Sequence, residues 1–158
     1  MAYLLDANVF LTAQSLHYSM DFCPAFWDWL VQAHAAKKVF SVAKVRTELQ
    51  DVDVKAWADQ RGTTFFLSPD AQFPAAFASV SNWATGPRYE PAAHSTFLQL
   101  ADSYLVAQAL AGKHTVVTHE VPSDSRKKIK IPDACAGVGV PCINPFEMLR
   151  SEKARFRL

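Results

Sequence analysis

The sequence predicts an α/β fold built on a parallel sheet, and three observations point there. Short apolar or β-branched runs alternate along the chain with stretches of helical periodicity. An acid stands directly after the first of those runs, at Asp6, and another just past a later one, at Glu120. The 158 residues are 50% apolar and 20% charged, which suffices to bury a sizeable core in a single domain spanning residues 1–158.

Tyr3-Leu4-Leu5 suits a buried first strand that delivers Asp6 at its carboxyl end. Pro24 at a first helical turn, followed by Phe26, Trp27, Trp29, Leu30 and Ala33, predicts an amphipathic helix over about 24–36. Val39-Phe40-Ser41-Val42 is a second strand. The good helix formers of 43–49 then place Val45 and Leu49 on one face with Glu48 at its edge. A helix over 52–61 closes at Gly62, and Phe65-Phe66-Leu67 is a short strand or connector. Prolines 74, 87 and 91 punctuate the middle segment, where a helix of roughly 71–84 and a loop are expected. Ser95 or Thr96 caps a long helix whose apolar stripe runs from Phe97 to Leu110 and stops at Gly112. Thr115-Val116-Val117-Thr118 is a buried strand. Residues 121–134 read as a polar, basic loop, the alternation from Val138 to Ile143 as a last strand, and Asn144-Pro145 as the start of a closing helix.

Composition narrows the function classes. No apolar run is long enough to cross a bilayer, and Asp6 falls where a secretory leader needs uninterrupted apolar residues, so a cytoplasmic protein is expected, with no membrane partner. Cys23, Cys135 and Cys142 are an odd number without C-x-x-C spacing, which predicts reduced thiols rather than a disulfide framework or zinc knuckle. Residues 1–112 hold 7 basic and 10 acidic side chains, and residues 113–158 hold 9 and 5. The basic excess includes Arg126, Lys127, Lys128 and Lys130, a run that can attract a phosphate backbone or stay a solvated loop.

Side chains at the carboxyl ends of parallel strands converge on one crevice. Asp6 and Glu120 qualify directly, and Glu48 and Asp102 can join them from the first turns of helices laid across those ends. Each acid also has a structural alternative: a helix cap for Asp6, a solvated charge for Glu48, a loop acid for Glu120. Asp102 stands apart, because a carboxylate among Leu98, Ala101 and Leu105 is costly unless paired or metal-bound. Clustered carboxylates repel one another, and a hard dication relieves that repulsion. Such a cluster permits phosphodiester hydrolysis without a nucleophilic side chain. Asn8, Ser103 and Thr118 can orient the acids or hold water among them. His119 is a further candidate by its position beside Glu120, although the five histidines show no metal-binding spacing. A phosphatase working through an aspartyl intermediate needs an acid where this chain has Asn8, and five scattered glycines form no phosphate-cradling loop.

Four segments together resemble the PIN-domain family: Tyr3 to Phe10 (YLLDANVF), Val45-Arg46-x-Glu48-Leu49, Ala101-Asp102-x-x-Leu105-Val106-Ala107, and Val116-Val117-Thr118-His119-Glu120. The stretch Asp21 to Trp29, with Pro24, Phe26 and Trp27, further resembles the DUF4411 branch of PIN-like proteins. The resemblance implies a three-layer α/β/α PIN-like fold with a central parallel sheet, and a Mg²⁺- or Mn²⁺-dependent endoribonuclease. Asp6, Glu48 and Asp102 would be its metal ligands, and Glu120 would take the fourth catalytic acidic place. The family usually has Asp at that fourth place, so Asp124 and Asp133 stay alternatives. Many small members similar to this chain are VapC-like toxins, dimeric and restrained by an antitoxin protein. A homodimer, an RNA substrate bound through Arg126, Lys127, Lys128 and Lys130, and a cognate antitoxin are therefore expected. The alternative is a catalytically inactive PIN-like scaffold that binds RNA or protein.

Overall fold

The sheet is five-stranded and wholly parallel, in the order β3-β2-β1-β4-β5. A computed structural model describes all residues, 1–158. The strands are β1 (Tyr3–Leu5), β2 (Val39–Val42), β3 (Phe66–Leu67), β4 (Thr115–Val117) and β5 (Cys142–Ile143). They are short, and β1 and β4 lie in register with Leu5 opposite Val117. The chain builds outward from β1 through β2 to β3, then returns to β1's other side for β4 and β5. The order therefore reverses between β1 and β4, the place where an open α/β sheet leaves a crevice beyond its strand ends.

Helices cover both faces, giving the expected three layers. On one side α7 (Ala101–Gly112) is the hub, packed against α3 (Ala43–Arg46), α5 (Phe73–Ala84), α6 (Pro91–Gln99) and α8 (Ile131–Val138). Its Ala, Val and Leu side chains from Leu105 to Ala109 are fully buried, so it reads as apolar nearly all round, as a core helix should. A second group comprises α1 (Ala7–Thr12), α2 (Pro24–Ala35) and α4 (Val52–Arg61). It meets the sheet through an aromatic cluster in which Phe10 contacts Trp57, Phe65 and Phe66 at centroid separations of 5.8, 6.2 and 5.9 Å. Trp27 stands edge-on to Trp57 at 5.1 Å. The closing helix α9 (Pro145–Ser151) starts with a reciprocal capping box between Asn144 and Glu147.

Three elements depart from the expectations. The long helix predicted from Ser95 to Gly112 is two helices, broken at Leu100, which is extended (φ −92°, ψ 169°). The predicted loop of 121–134 ends in a helix, because Pro132 and Asp133 supply a first turn and Gly139, at φ +79°, supplies its left-handed stop. That helix takes Val138 from the predicted last strand and leaves β5 with two residues. The helix of 43–49 stops at Arg46 and continues as a turn that carries Glu48. All three cysteines are free thiols, with Cys135 buried and Cys23 and Cys142 half-buried.

Gly137 packs its bare backbone against the indole of Trp83, leaving no room for a side chain. Gly137→Ala is expected to destabilise the fold by about 2 kcal/mol, because the indole must shift out of a filled contact. Urea denaturation checks this, and an unchanged midpoint would show that Trp83 moves freely.

Candidate acid pocket

Asp6 directly follows β1 and caps α1, its Oδ1 accepting the Ala7 N–H at 2.7 Å. The polar residue beside it on the neighbouring strand end is Thr118, whose hydroxyl donates to Asp6 Oδ2 at 2.8 Å. That hydroxyl oxygen also accepts from Asn8 Nδ2 at 3.2 Å and from the Glu120 N–H at 3.0 Å. Asn8 Oδ1 in turn accepts the His119 N–H at 3.1 Å. Asn8 thus reaches Asp6 through Thr118, and the pair pins the ends of β1 and β4 together.

Glu48 and Glu120 do the same job at two helix starts. Glu48 Oε2 accepts the N–H of Ala101, the first residue of α7, at 2.8 Å. Glu120 Oε1 accepts the N–H of Ile131, the first residue of α8, at 3.0 Å. A carboxylate at a helix N-terminus meets unpaired N–H groups and the positive end of the helix dipole. Leu100 has no capping side chain of its own, so Glu48 caps α7 from 53 residues away.

Asp102 follows in the first turn of α7, within electrostatic reach of the other acids. Burial raises its carboxyl to about 7, and the charges of Asp6, Glu120 and Glu48 add to the rise. Asp6, 5% exposed, is raised to about 6, again by burial first, with Glu120 and Glu48 adding while the Thr118 and Ala7 hydrogen bonds oppose. Asp6 and Asp102 therefore both feel the charge of Glu48 and Glu120 at the crevice between β1 and β4. None of the protein's ion pairs includes any of them, and the nearest relief for Asp102 is the ammonium of Lys128.

The donor set is all carboxylate oxygen, the kind that suits a hard dication. As the side chains are oriented, no group of three acid, imidazole or thiol residues is drawn close enough to enclose an ion. The two glutamates are turned onto backbone N–H groups, while Asp102 carries no hydrogen bond. In chemistry and in negative charge the residues suit a divalent cation, and Asp6 and Asp102 would be the pair to hold it. Glu48 and Glu120 would reach it by turning from their N–H partners or through water.

The other sequence candidates divide. Ser103 is buried but hydrogen-bonds to none of the acids; its hydroxyl donates to the carbonyls of Leu98 and Leu100, at 3.3 and 3.1 Å, across the break between α6 and α7. Asp133 accepts the Ser123 N–H at 3.0 Å and lies 3.6 Å from the Arg88 guanidinium, so it is engaged elsewhere. Asp124 is exposed and does not enter the charge balance of Asp6 or Asp102. Glu120 is thus the fourth acid by position. The His119 ring hydrogen-bonds to none of the carboxylates: it stacks with His17 at 5.9 Å and meets Phe146 edge-on at 5.7 Å. Burial, and then His17, hold its pKa low.

Within the basic run, Lys127 and Lys128 line a cleft of about 340 Å³ with Asp102, Phe97 and Leu100. Arg126 points away and donates to the carbonyl of Pro87 at 3.1 Å. Lys130 is half-buried at the start of α8. A separate cleft of about 390 Å³, sharing no lining residue with the first, holds Thr118, His119, Glu120, Asn144 and Phe146. Sequence reasoning missed the two backbone donors, Ala101 and Ile131; the signal for the second was the Pro132-Asp133 pair.

A family described as "Domain of unknown function (DUF4411)" matches residues 3–156. No curated protein matches the sequence. Among solved structures the chain is similar to "Crystal Structure of FitAcB from Neisseria gonorrhoeae", at 19% identity and a TM-score of 0.52, covering 91% of this chain and 98% of that one. At that identity the likeness is one of fold.

Proposed function

The chain belongs to the DUF4411 family, and from its resemblance to PIN-domain proteins and its acid pocket we propose that it is a metal-dependent endoribonuclease, one of the VapC-like toxins of toxin–antitoxin pairs. The observation that supports this reading is that Asp6 and Asp102, far apart in sequence and both largely buried, lie within electrostatic reach of Glu48 and Glu120 at the reversal point of a parallel sheet. Glu48 and Glu120 have backbone N–H partners, but buried Asp102 has neither an ion pair nor a hydrogen bond, and Lys128 is the one cation that eases its charge. The fold is compatible with the assignment through its likeness to the FitAcB structure.

Mg²⁺ or Mn²⁺ bound among these acids would polarise a phosphodiester and lower the pKa of a bound water. Asp6 and Asp102 would hold the cation, with Glu48 and Glu120 completing the negative field. Thr118 orients Asp6, and Asn8 fixes Thr118. Lys127 and Lys128 would draw the phosphate backbone to the Asp102 side of the pocket. Arg126 and Lys130 are the weaker candidates, since one is turned to a carbonyl and the other is half-buried. An RNA substrate, an antitoxin partner, a homodimer and a cytoplasmic location complete the reading. No helix is long and apolar enough to cross a membrane.

Calorimetric titration with Mn²⁺ tests it. The wild type is expected to bind the ion and to cut single-stranded RNA in its presence, and Asp102→Ala is expected to do neither. A wild type that binds no Mn²⁺ between pH 7 and 8 would favour the inactive scaffold, the reading that the glutamates' backbone hydrogen bonds support.

A further inference from the structure

We infer that the C-terminal segment forms a second strand-binding groove, which takes single-stranded RNA leaving the acid pocket past Phe146. The inference deepens the ribonuclease reading by giving the substrate a path, and rests on it. The groove, of about 460 Å³, is lined by Tyr18, Phe146, Arg150, Lys153, Arg155 and Phe156.

Charge is the first argument. Residues 148–158 contain one acid, Glu152, and four bases, Arg150, Lys153, Arg155 and Arg157. Glu152 faces elsewhere, 2.9 Å from the Lys38 ammonium and accepting the Tyr3 hydroxyl at 2.9 Å. The four bases are exposed, and none takes part in an ion pair. A polyanion is the complement of such a surface.

The groove is also built rather than trailing. Glu152 anchors the segment to β1 and to Lys38, just before β2, and Phe156 packs edge-on to Tyr18 at 5.5 Å and to Phe26 at 6.0 Å. The basic side chains therefore share the lining of one groove with Tyr18, Phe146 and Phe156. Cations beside aromatic faces are what a single strand needs, since phosphates meet the charges and unpaired bases stack on the rings.

Continuity with the pocket is the third argument. Phe146 lines this groove and also the cleft that holds Thr118 and Glu120. Beside it, His17 meets Phe146 edge-on at 5.2 Å and stacks with His119. A strand crossing the acids thus passes from Lys127 and Lys128, over the His17, His119 and Phe146 rim, to Arg150, Lys153 and Arg155.

The test is fluorescence anisotropy with a labelled oligouridylate of about 16 nucleotides in EDTA across a NaCl series, so that neither a bound metal nor cleavage enters the readout. The triple variant R150Q/K153Q/R155Q is expected to bind at least about tenfold more weakly than wild type. Its log–log salt slope should be shallower by about 2, as loss of three phosphate contacts requires. Phe146→Leu is expected to weaken binding severalfold while leaving the salt slope in place. Unchanged affinity and slope in a triple variant with wild-type circular dichroism would overturn the groove. Tighter binding of duplex RNA than of the single strand would overturn it too. An acidic antitoxin segment that binds there while RNA binding is unaffected by the triple substitution would reassign the surface to protein. Groove-dependent RNA binding by a chain that takes up no Mn²⁺ would sink the nuclease reading and leave the groove standing.

Discussion

Asp102→Asn is expected to abolish metal-dependent RNA cleavage and, in EDTA at pH 8, to make the protein more stable. The two effects have one cause. The Asp102 carboxyl is raised from 3.8 to about 7 by burial and by three neighbouring acids. A carboxyl whose folded pKa is raised stabilises the fold fully below its unfolded pKa and loses that contribution as pH rises through the folded value. The window here runs from about pH 4 to pH 7, and Asp6, raised to about 6, acts in the same direction. Forcing the Asp102 proton off at pH 8 costs on the order of 4 kcal/mol. Asparagine keeps the shape and removes the charge, so most of that loss should vanish and the pH dependence of Tm should flatten.

A divalent cation does for wild type what asparagine does for the variant. Thermal melts at pH 5 and pH 8, with EDTA or with Mn²⁺, therefore give a four-way comparison. Mn²⁺ should raise the wild-type Tm at pH 8 more than at pH 5, because ligand carboxyls must lose their protons to bind it. It should leave Asp102→Asn unmoved. A wild type whose Tm in EDTA is as high at pH 8 as at pH 5 would show that these acids are not strained by one another, and the metal argument would lose its basis.

How much of this was legible in the sequence depends on whether the cause is local. Asp6 was legible because an apolar strand cannot end on an acid without presenting it at the sheet's edge. Asp102 was legible because a carboxylate in an apolar stripe demands a reason. The break at Leu100 was not: it has neither glycine nor proline, and its stabilisers are the Ser103 hydroxyl and the carboxylate of Glu48. Ser103 looked like a partner for the acids because it adjoins Asp102, but adjacent helical residues point in different directions. Helix α8 hid for a different reason. The valines at 138 and 140 and the apolar pair Cys142-Ile143 alternate as a strand would, while Pro132 and Gly139, which bound the helix, also read as loop punctuation. Glu48 was legible only as an acid that a helix could bring to the strand ends; its N–H partner was not, because that contact is tertiary.

Thr118→Val is the substitution expected to damage the fold most for the fewest atoms changed. Valine matches threonine in shape, so the buried site, 1% exposed, stays filled. What goes is one hydroxyl that donates to Asp6 and accepts from both Asn8 and Glu120. Three polar groups at the junction of β1 and β4 lose a partner at once, and an unsatisfied buried group costs more than a hydrogen bond gains. A loss of about 3 kcal/mol follows, a fall in Tm of roughly 10 °C. The loss should be larger at pH 8 than at pH 5, because the Thr118 bond favours the ionised form of Asp6 and its removal pushes that carboxyl further up. Thr118→Ser keeps the hydroxyl and gives up a methyl, so it should recover most of the stability and all of the pH difference. If valine melts with serine and wild type at pH 8, Thr118 is only filling space. Asp6 would then be oriented by its own N-cap bond to Ala7, and the hydroxyl would have no part in preparing the pocket.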